Sequence, residues 1–512
     1  MKTDQAALDG KAVTFSRLKE LLREAREEGK KIVLCHGVFD LMHPGHILHF
    51  KSARRHGDLL VVTVTPDHYA RKAPGRPIFS QRLRMETIAA LECVDFVALN
   101  EWPTAIETIR HLQPHVYAKG GEYANPEFDV TGNIVKEKEA VREVGGEMIF
   151  TNEESFSSSS LINRFFQSYP PETELFLRDF RRRRSAGEVV ACLEALTDLR
   201  VLVIGEAIFD QYTYCIPMAR PPKSTIVAAK FSSEENFLGG SLAVANHLAG
   251  FCKEVMLVTC LGTEEETYQF IQTKLKPNVS LHAIRTPDRP TILKRRFLDQ
   301  YLTKIFEIQR LDDTPIPASI EEDIQTFLTR HLPHTDLMVV TDFGHGMLTG
   351  QIRDFLYDSE KFLAVNAQTN SANLGFNPVT KYKAADYVCI DVPELRLAAQ
   401  SPYGDIPAMV DKVRQHLHAA DFMVSLGPDG TLFFAKDGTS HKTPTLPATV
   451  VDRVGAGDAL FAVTSPLVYR GCPPDVLGLV ANCVGAMAIE VVCNREPINP
   501  VTLKKFITYL LK

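Results

Sequence analysis

The chain is 512 residues long, and at about 100–200 residues per domain that length calls for two or three domains. With 45% hydrophobic and 23% charged residues, its composition excludes wholesale disorder, a collagen-like repeat and a disulfide-dense miniature scaffold. A formal net charge of −6 is the opposite of the basic excess that marks nucleic-acid or anionic-membrane binders, so neither is an expected partner.

The opening residues MKTDQAALDGKAVTF lack the basic-then-apolar order of a secretory signal, and no run reaches the roughly 18 apolar residues needed to span a bilayer; a cytoplasmic protein is expected. Ten cysteines are scattered with no CxxC pair, which points to reduced thiols and no disulfides.

Short β-branched apolar runs at residues 31–34, 58–64 and 199–205 alternate with helical periods, the pattern of parallel α/β sheets. The pattern pauses at residues 169–187, around Tyr169-Pro170-Pro171 and Arg181-Arg182-Arg183-Arg184. The boundary is therefore expected there: a first domain at 1–168, a linker at 169–187 with a solvated arginine run, and a second domain at 188–512.

The first strand runs through Gly37-Val38-Phe39-Asp40 into Leu41-Met42-His43-Pro44-Gly45-His46 and a helix. A strand, a glycine turn and a helix start in that order form an anion site, because unpaired N–H groups and the helix dipole face the ligand. His43 and His46 can donate hydrogen bonds to an attacked α-phosphate. A surface or zinc-binding pair is the alternative, although zinc lacks a nearby third ligand.

These residues resemble the HxGH signature of the nucleotidyltransferase superfamily. Arg76-Pro77, Gln81-Arg82-Leu83-Arg84-Met85 and Lys119-Gly120-Gly121-Glu122-Tyr123 resemble the heptose 1-phosphate adenylyltransferases, and Phe156 to Arg164 resembles the superfamily's closing ISSTxIIxR motif. The resemblance implies a Rossmann-like domain in which Gly37, Val38, Phe39, Arg84, Gly120, Ser157, Ser158, Ser159 and Arg164 hold the nucleotide, Asp40 meets the substrate, and His43, His46 and Lys119 are catalytic. Lys119 would bring an ammonium to a phosphate.

In the second domain, Val451-Asp452-Arg453-Val454-Gly455-Ala456-Gly457-Asp458 opens a helix on a glycine turn, an anion cradle for a transferring γ-phosphate. An acid beside phosphates needs a task, and Asp458 suits proton abstraction from the attacking hydroxyl; N-capping the helix is the alternative.

This stretch resembles the PfkB, or ribokinase-like, carbohydrate kinases. That resemblance implies a ribokinase-like α/β domain with a small β lid between Tyr212 and Glu235, through which such kinases dimerise. It also implies sugar contacts from Asp210, Gly239, Gly240, Asn246 and Asp342, nucleotide contacts from Gly427, Gly430, Gly455, Ala456, Gly457 and Asn482, and Mg²⁺ at Asp391 and Glu394. Three departures stand out: Asp391-Val392-Pro393-Glu394 in place of NxxE, His345 in place of a lysine, and Asn366-Ala367-Gln368-Thr369-Asn370 in place of DPKG.

Together the resemblances imply a homodimeric, bifunctional enzyme with its domains in reversed order relative to the familiar heptose enzyme. A sugar phosphate would be phosphorylated by ATP and then joined to a nucleotide from ATP or CTP. The alternative keeps the first domain as the enzyme and makes the second a sugar-phosphate-binding regulatory module.

Overall fold

The computed structural model describes residues 10–70, 76–123, 133–151, 169–219, 226–418 and 421–512. The chain forms two compact units: the first holds residues up to Pro170 with Lys504–Leu510, the second Pro171–Leu503. Among the described residues no helix is long and apolar enough to cross a membrane.

The first unit is a parallel sheet of β1 (Ile32–Gly37), β2 (Leu59–Val64), β3 (Phe96–Leu99), β4 (Val116–Gly120) and β5 (Glu147–Thr151), ordered β3-β2-β1-β4-β5. Alternate residues of β1 enter two cores. Val33 and Cys35 meet Phe50, Ala53 and Ile88, whereas Ile32 and Leu34 meet Leu18, Leu22 and Ile109. Burial on both faces is why these strands read as continuous apolar runs. The strand order reverses between β1 and β4, and such a switch opens a ligand crevice at the carboxyl ends of the strands.

The second unit holds β6 (Arg200–Gly205), β7 (Ala207–Pro217), β8 (Ala229–Gly240), β9 (Glu254–Leu261), β10 (Val279–Arg285), β11 (Ile292–Leu298), β12 (Lys304–Arg310), β13 (Leu337–Asp342), β14 (Phe362–Ala367), β15 (Tyr387–Asp391), β16 (Asp421–Ser425), β17 (Thr431–Phe434) and β18 (Ser440–Thr443). The main sheet runs β10-β9-β6-β13-β14-β15-β16-β17-β18, parallel as far as β16. A separate sheet, β12-β11-β7-β8, forms the lid. The expected lid is only its β7–β8 hairpin; β11, pairing parallel to β7, and β12, antiparallel to β11, complete it. The helix Ala456–Tyr469 is buried nearly all round, so its polar N-terminus is held rigidly at the carboxyl edge of the sheet.

The stretch read as a linker is ordered over much of its length. Pro171–Arg183 is a helix of the second unit with Leu177 and Phe180 fully buried. Arg183 and Arg184 pair with Asp475 at 3.1 and 3.3 Å, so those two arginines are not merely solvated. Leu177 and Phe180, three residues apart on one helical face, are the signal the arginine run masked.

Candidate active sites

In the first unit the loop leaving β1 turns at Phe39, whose left-handed φ of 50° is uncommon for a side chain of its size. His43 caps the helix Pro44–Arg54 in extended geometry, and the His43 and His46 rings stack with centroids 3.9 Å apart. Both His43 ring nitrogens are buried without a hydrogen-bond partner, and burial holds the imidazole's pKa below its usual value. A neutral ring with an unmet donor is suited to a ligand oxygen.

Two residues expected to touch ligand are engaged elsewhere. Arg84 is fully buried: its guanidinium donates to the carbonyls of Val38, Thr65 and Phe79 and pairs with Asp67 at 2.6 Å. Asp40 accepts from the Ile78 and Phe79 amides at 2.7 and 3.0 Å and pairs with Arg76 at 3.1 Å. Both shape the loop that carries the histidines. Lys119 is the penultimate residue of β4, with its ammonium 2.9 Å from the buried Glu137 carboxylate. Gly37 and Gly120 end β1 and β4, and Ser157, Ser158, Ser159 and Arg164 lie outside the described residues.

Sequence reasoning missed His36 and His49. His36 is the penultimate residue of β1 and bonds Thr63 and Thr65 through its two nitrogens, while His49 meets Thr151 at 2.8 Å. Burial and the nearby Lys119 charge push them down to about 3 and about 4, so both stay neutral.

In the second unit a cavity of about 340 Å³ brings together Asp210, Gly240, Asp391, Glu394, Gly455, Gly457 and Asp458. Gly455 is the N-cap of Ala456–Tyr469 at φ +86°, and a Cβ there would lie 2.0 Å from Asn494 Oδ1. Gly239 is equally constrained, since a Cβ would lie 2.0 Å from Asp210 Oδ2. Asp458 accepts from the Gln368 amide at 2.8 Å. Burial first, then the Asp210 charge, push it up to about 7.

The cavity also contains cations that the sequence did not single out. Lys294 and Arg296 project from β11, and Arg453 precedes the glycine turn. Arg296 is bound to Asp210 and, at 2.6 Å, to Glu307. Lys294 is buried, its pKa lowered by desolvation, and its charge faces both Asp210 and Asp458. Positive charge therefore enters from the lid, while His345 is buried outside this lining, pushed down to about 4 by burial. Asn366, Gln368 and Thr369, from the stretch that departs from the kinase pattern, line the wall.

Asp391 and Glu394 form a reciprocal capping box on the helix Val392–Ala399, with Glu394 also accepting from Thr369 N–H at 3.0 Å. Burial and the adjacent Asp391 push Glu394 up to about 8. Two crowded carboxyl groups lining one cavity fit a divalent cation shared with substrate phosphates, which characteristically takes only one or two protein carboxylates. Among the described residues no group of three or more His, Cys, Asp or Glu is placed to hold a metal by itself.

Three polar side chains expected as contacts do not line this cavity, and neither do Gly239, Gly427, Gly430 or Ala456. Asp342 is buried against Lys381 at 2.6 Å and the Tyr382 hydroxyl at 2.5 Å. Asn482 donates to Thr431 and the Gly478 carbonyl. Asn246 holds the turn at Lys274 and Lys276. Gly427 and Gly430 shape the turn after β16, whose last residue, Ser425, reaches the cavity.

Residues 34–165 match the cytidylyltransferase-like family model and residues 376–498 the pfkB family carbohydrate kinase model. The chain is similar to the bifunctional protein HldE of Pelobacter propionicus, with 35% identity over 164 residues, 31% of this chain and 32% of that protein. It is also 40% identical over 139 residues to HldE of Methylococcus capsulatus, 27% of this chain and 28% of that one. These alignments lie in the N-terminal region and span about a third of the relatives' length. Arabidopsis thaliana ribokinase, solved with ribose and ATP, superposes at a TM-score of 0.47 with 17% identity, covering 62% of this chain and 99% of that one.

Proposed function

We propose that this chain, with a cytidylyltransferase-like region followed by a pfkB-type region, makes a nucleotide-activated sugar in two steps. The second unit phosphorylates the anomeric hydroxyl of a heptose 7-phosphate-like sugar phosphate with ATP. The first unit then joins the sugar 1-phosphate to a nucleotide, releasing pyrophosphate; ATP is the favoured donor and CTP the alternative.

The observation that carries the reading is Asp458: a buried carboxylate held near neutrality, one oxygen fixed by Gln368, at the N-terminus of a helix opened by Gly455. A base with a pKa near the working pH combines availability with driving force for taking a hydroxyl proton. The helix N-terminus and Lys294 stabilise the charge of the transferring phosphoryl group, and the Asp210–Gly239 pocket orients the sugar. Asp391 and Glu394 would hold Mg²⁺, which neutralises the triphosphate when bound. Homodimerisation is supported by apolar side chains exposed on the lid, among them Ile216, Phe231, Phe306 and Ile308.

The test is a mass-spectrometric screen of heptose, hexose and pentitol phosphates with ATP and CTP, comparing the wild type with Asp458→Asn. The wild type should release ADP in a sugar-dependent manner, and the variant should do so about 10²- to 10⁴-fold more slowly. Equal turnover by the two proteins would refute the assignment of the base. Saturable sugar-phosphate binding with no ADP release from any candidate would make the second unit a sensor.

A further inference from the structure

We propose that the second unit carries a second anion-binding pocket, for a small phosphate monoester, beside the Asp458 cavity and sharing the wall residue Asn494 with it. The pocket, about 460 Å³, lies between the end of β8, the helix Ser241–Leu248, the turn at Lys274–Lys276 and the segment 494–497. That is the size of a small-molecule site.

Its polar floor is His247, only 3% exposed. His247 Nδ1 accepts from the Ile498 amide at 3.0 Å, which places the ring proton on Nε2. Nε2, next to the Asn494 side chain, has no hydrogen-bond partner of good geometry. Leaving that buried N–H without a well-placed acceptor is costly, and a ligand oxygen would recover the cost.

Lys274 and Lys276 line the same pocket. Asn246 clamps their turn, donating to the Lys274 carbonyl and accepting from the Lys276 amide. Among the described residues no carboxylate lies within ion-pair distance of either lysine. Arg495 is bound to Glu235, which lines the same pocket, so that pair cancels and the two lysines leave a net positive charge. Phe237, Leu238, Phe270 and Pro497 add an apolar wall that free phosphate would leave unused but a monoester's carbon skeleton would cover. On the other side, Asn494 packs against Gly455, so an occupant here touches the wall of the phosphoryl-transfer cavity.

The test is independent of turnover. Calorimetry with inorganic phosphate and with a hexose 6-phosphate is paired with lysine acetylation read by mass spectrometry, on the wild type, Lys276→Gln, Lys274→Gln/Lys276→Gln and Asp458→Asn, with melting temperature confirming each fold. The monoester should bind more tightly than phosphate, and should shield Lys274 and Lys276 in both the wild type and Asp458→Asn. Lys276→Gln should lower affinity about 10- to 100-fold. Absence of shielding at about 10 mM ligand, or affinity unchanged in the double variant, would overturn the pocket. Equal affinity for phosphate and monoester would overturn the monoester assignment.

Discussion

The Gln368 side-chain amide donates to Oδ1 of Asp458 at 2.8 Å, so the residue at the centre of a departure from the kinase pattern also holds the proposed base. Burial and the Asp210 charge raise the Asp458 pKa to about 7, whereas Lys294 and Gln368 lower it. A base acts when ionised, so sugar-dependent ADP release should rise through about pH 7 and level off above it. Gln368→Leu removes a lowering contact, and its acidic limb should move to higher pH, with a larger loss at pH 6 than at pH 9. An unmoved limb in a stably folded variant would separate Gln368 from the base.

Lys294 lies directly across from Asp210 in the parallel pairing of β11 with β7. Lys294→Gln deletes a charge that favours ionised Asp458 and, in the proposed reaction, would face the phosphoryl group, so it should both shift the limb upward and lower the plateau, by roughly 10- to 10³-fold. Lys294→Arg keeps the charge and should restore much of the limb position. A plateau loss without a shift would place Lys294 on the phosphate and away from the base.

These two residues also show where the sequence stopped being legible. His43-Pro44-Gly45-His46 and Gly455-Ala456-Gly457-Asp458 are local motifs whose strand, turn and helix are contiguous, so residue order alone places them. Lys294 gains its meaning only from pairing with a strand more than 80 residues away, and Gln368 from the end of β14 meeting a helix some 90 residues on. Arg84, Asp40, Asn246, Asp342 and Asn482 are hard to assign from sequence for the converse reason. A polar side chain near a site serves either ligand or backbone, and only the finished hydrogen-bond network tells which.

Arg84 offers a direct check of that distinction. Replacing it with alanine leaves the Val38, Thr65 and Phe79 carbonyls without their buried donor and Asp67 without its partner. The first unit should lose about 3 kcal/mol or more of stability, seen as an earlier urea transition. Were Arg84 a nucleotide ligand instead, stability would hold and the KM for nucleotide would rise.

His43 and His46 should separate the two half-reactions. His43 carries no hydrogen-bond partner on either nitrogen and burial lowers its pKa, so in the proposed reaction it would donate a hydrogen bond to the attacked α-phosphate. Burial lowers its pKa and so favours the neutral ring as pH rises, and kcat/KM for pyrophosphate release should not fall from pH 7 to 9 on its account. Removing either imidazole should cost about 10²–10³ in nucleotidyl transfer, by loss of a preorganised contact with the developing charge. ADP release by the second unit should be unchanged in both variants. If His46→Ala, supplied directly with sugar 1-phosphate, still releases pyrophosphate at the wild-type rate, the nucleotidyl-transfer site lies elsewhere in the first unit.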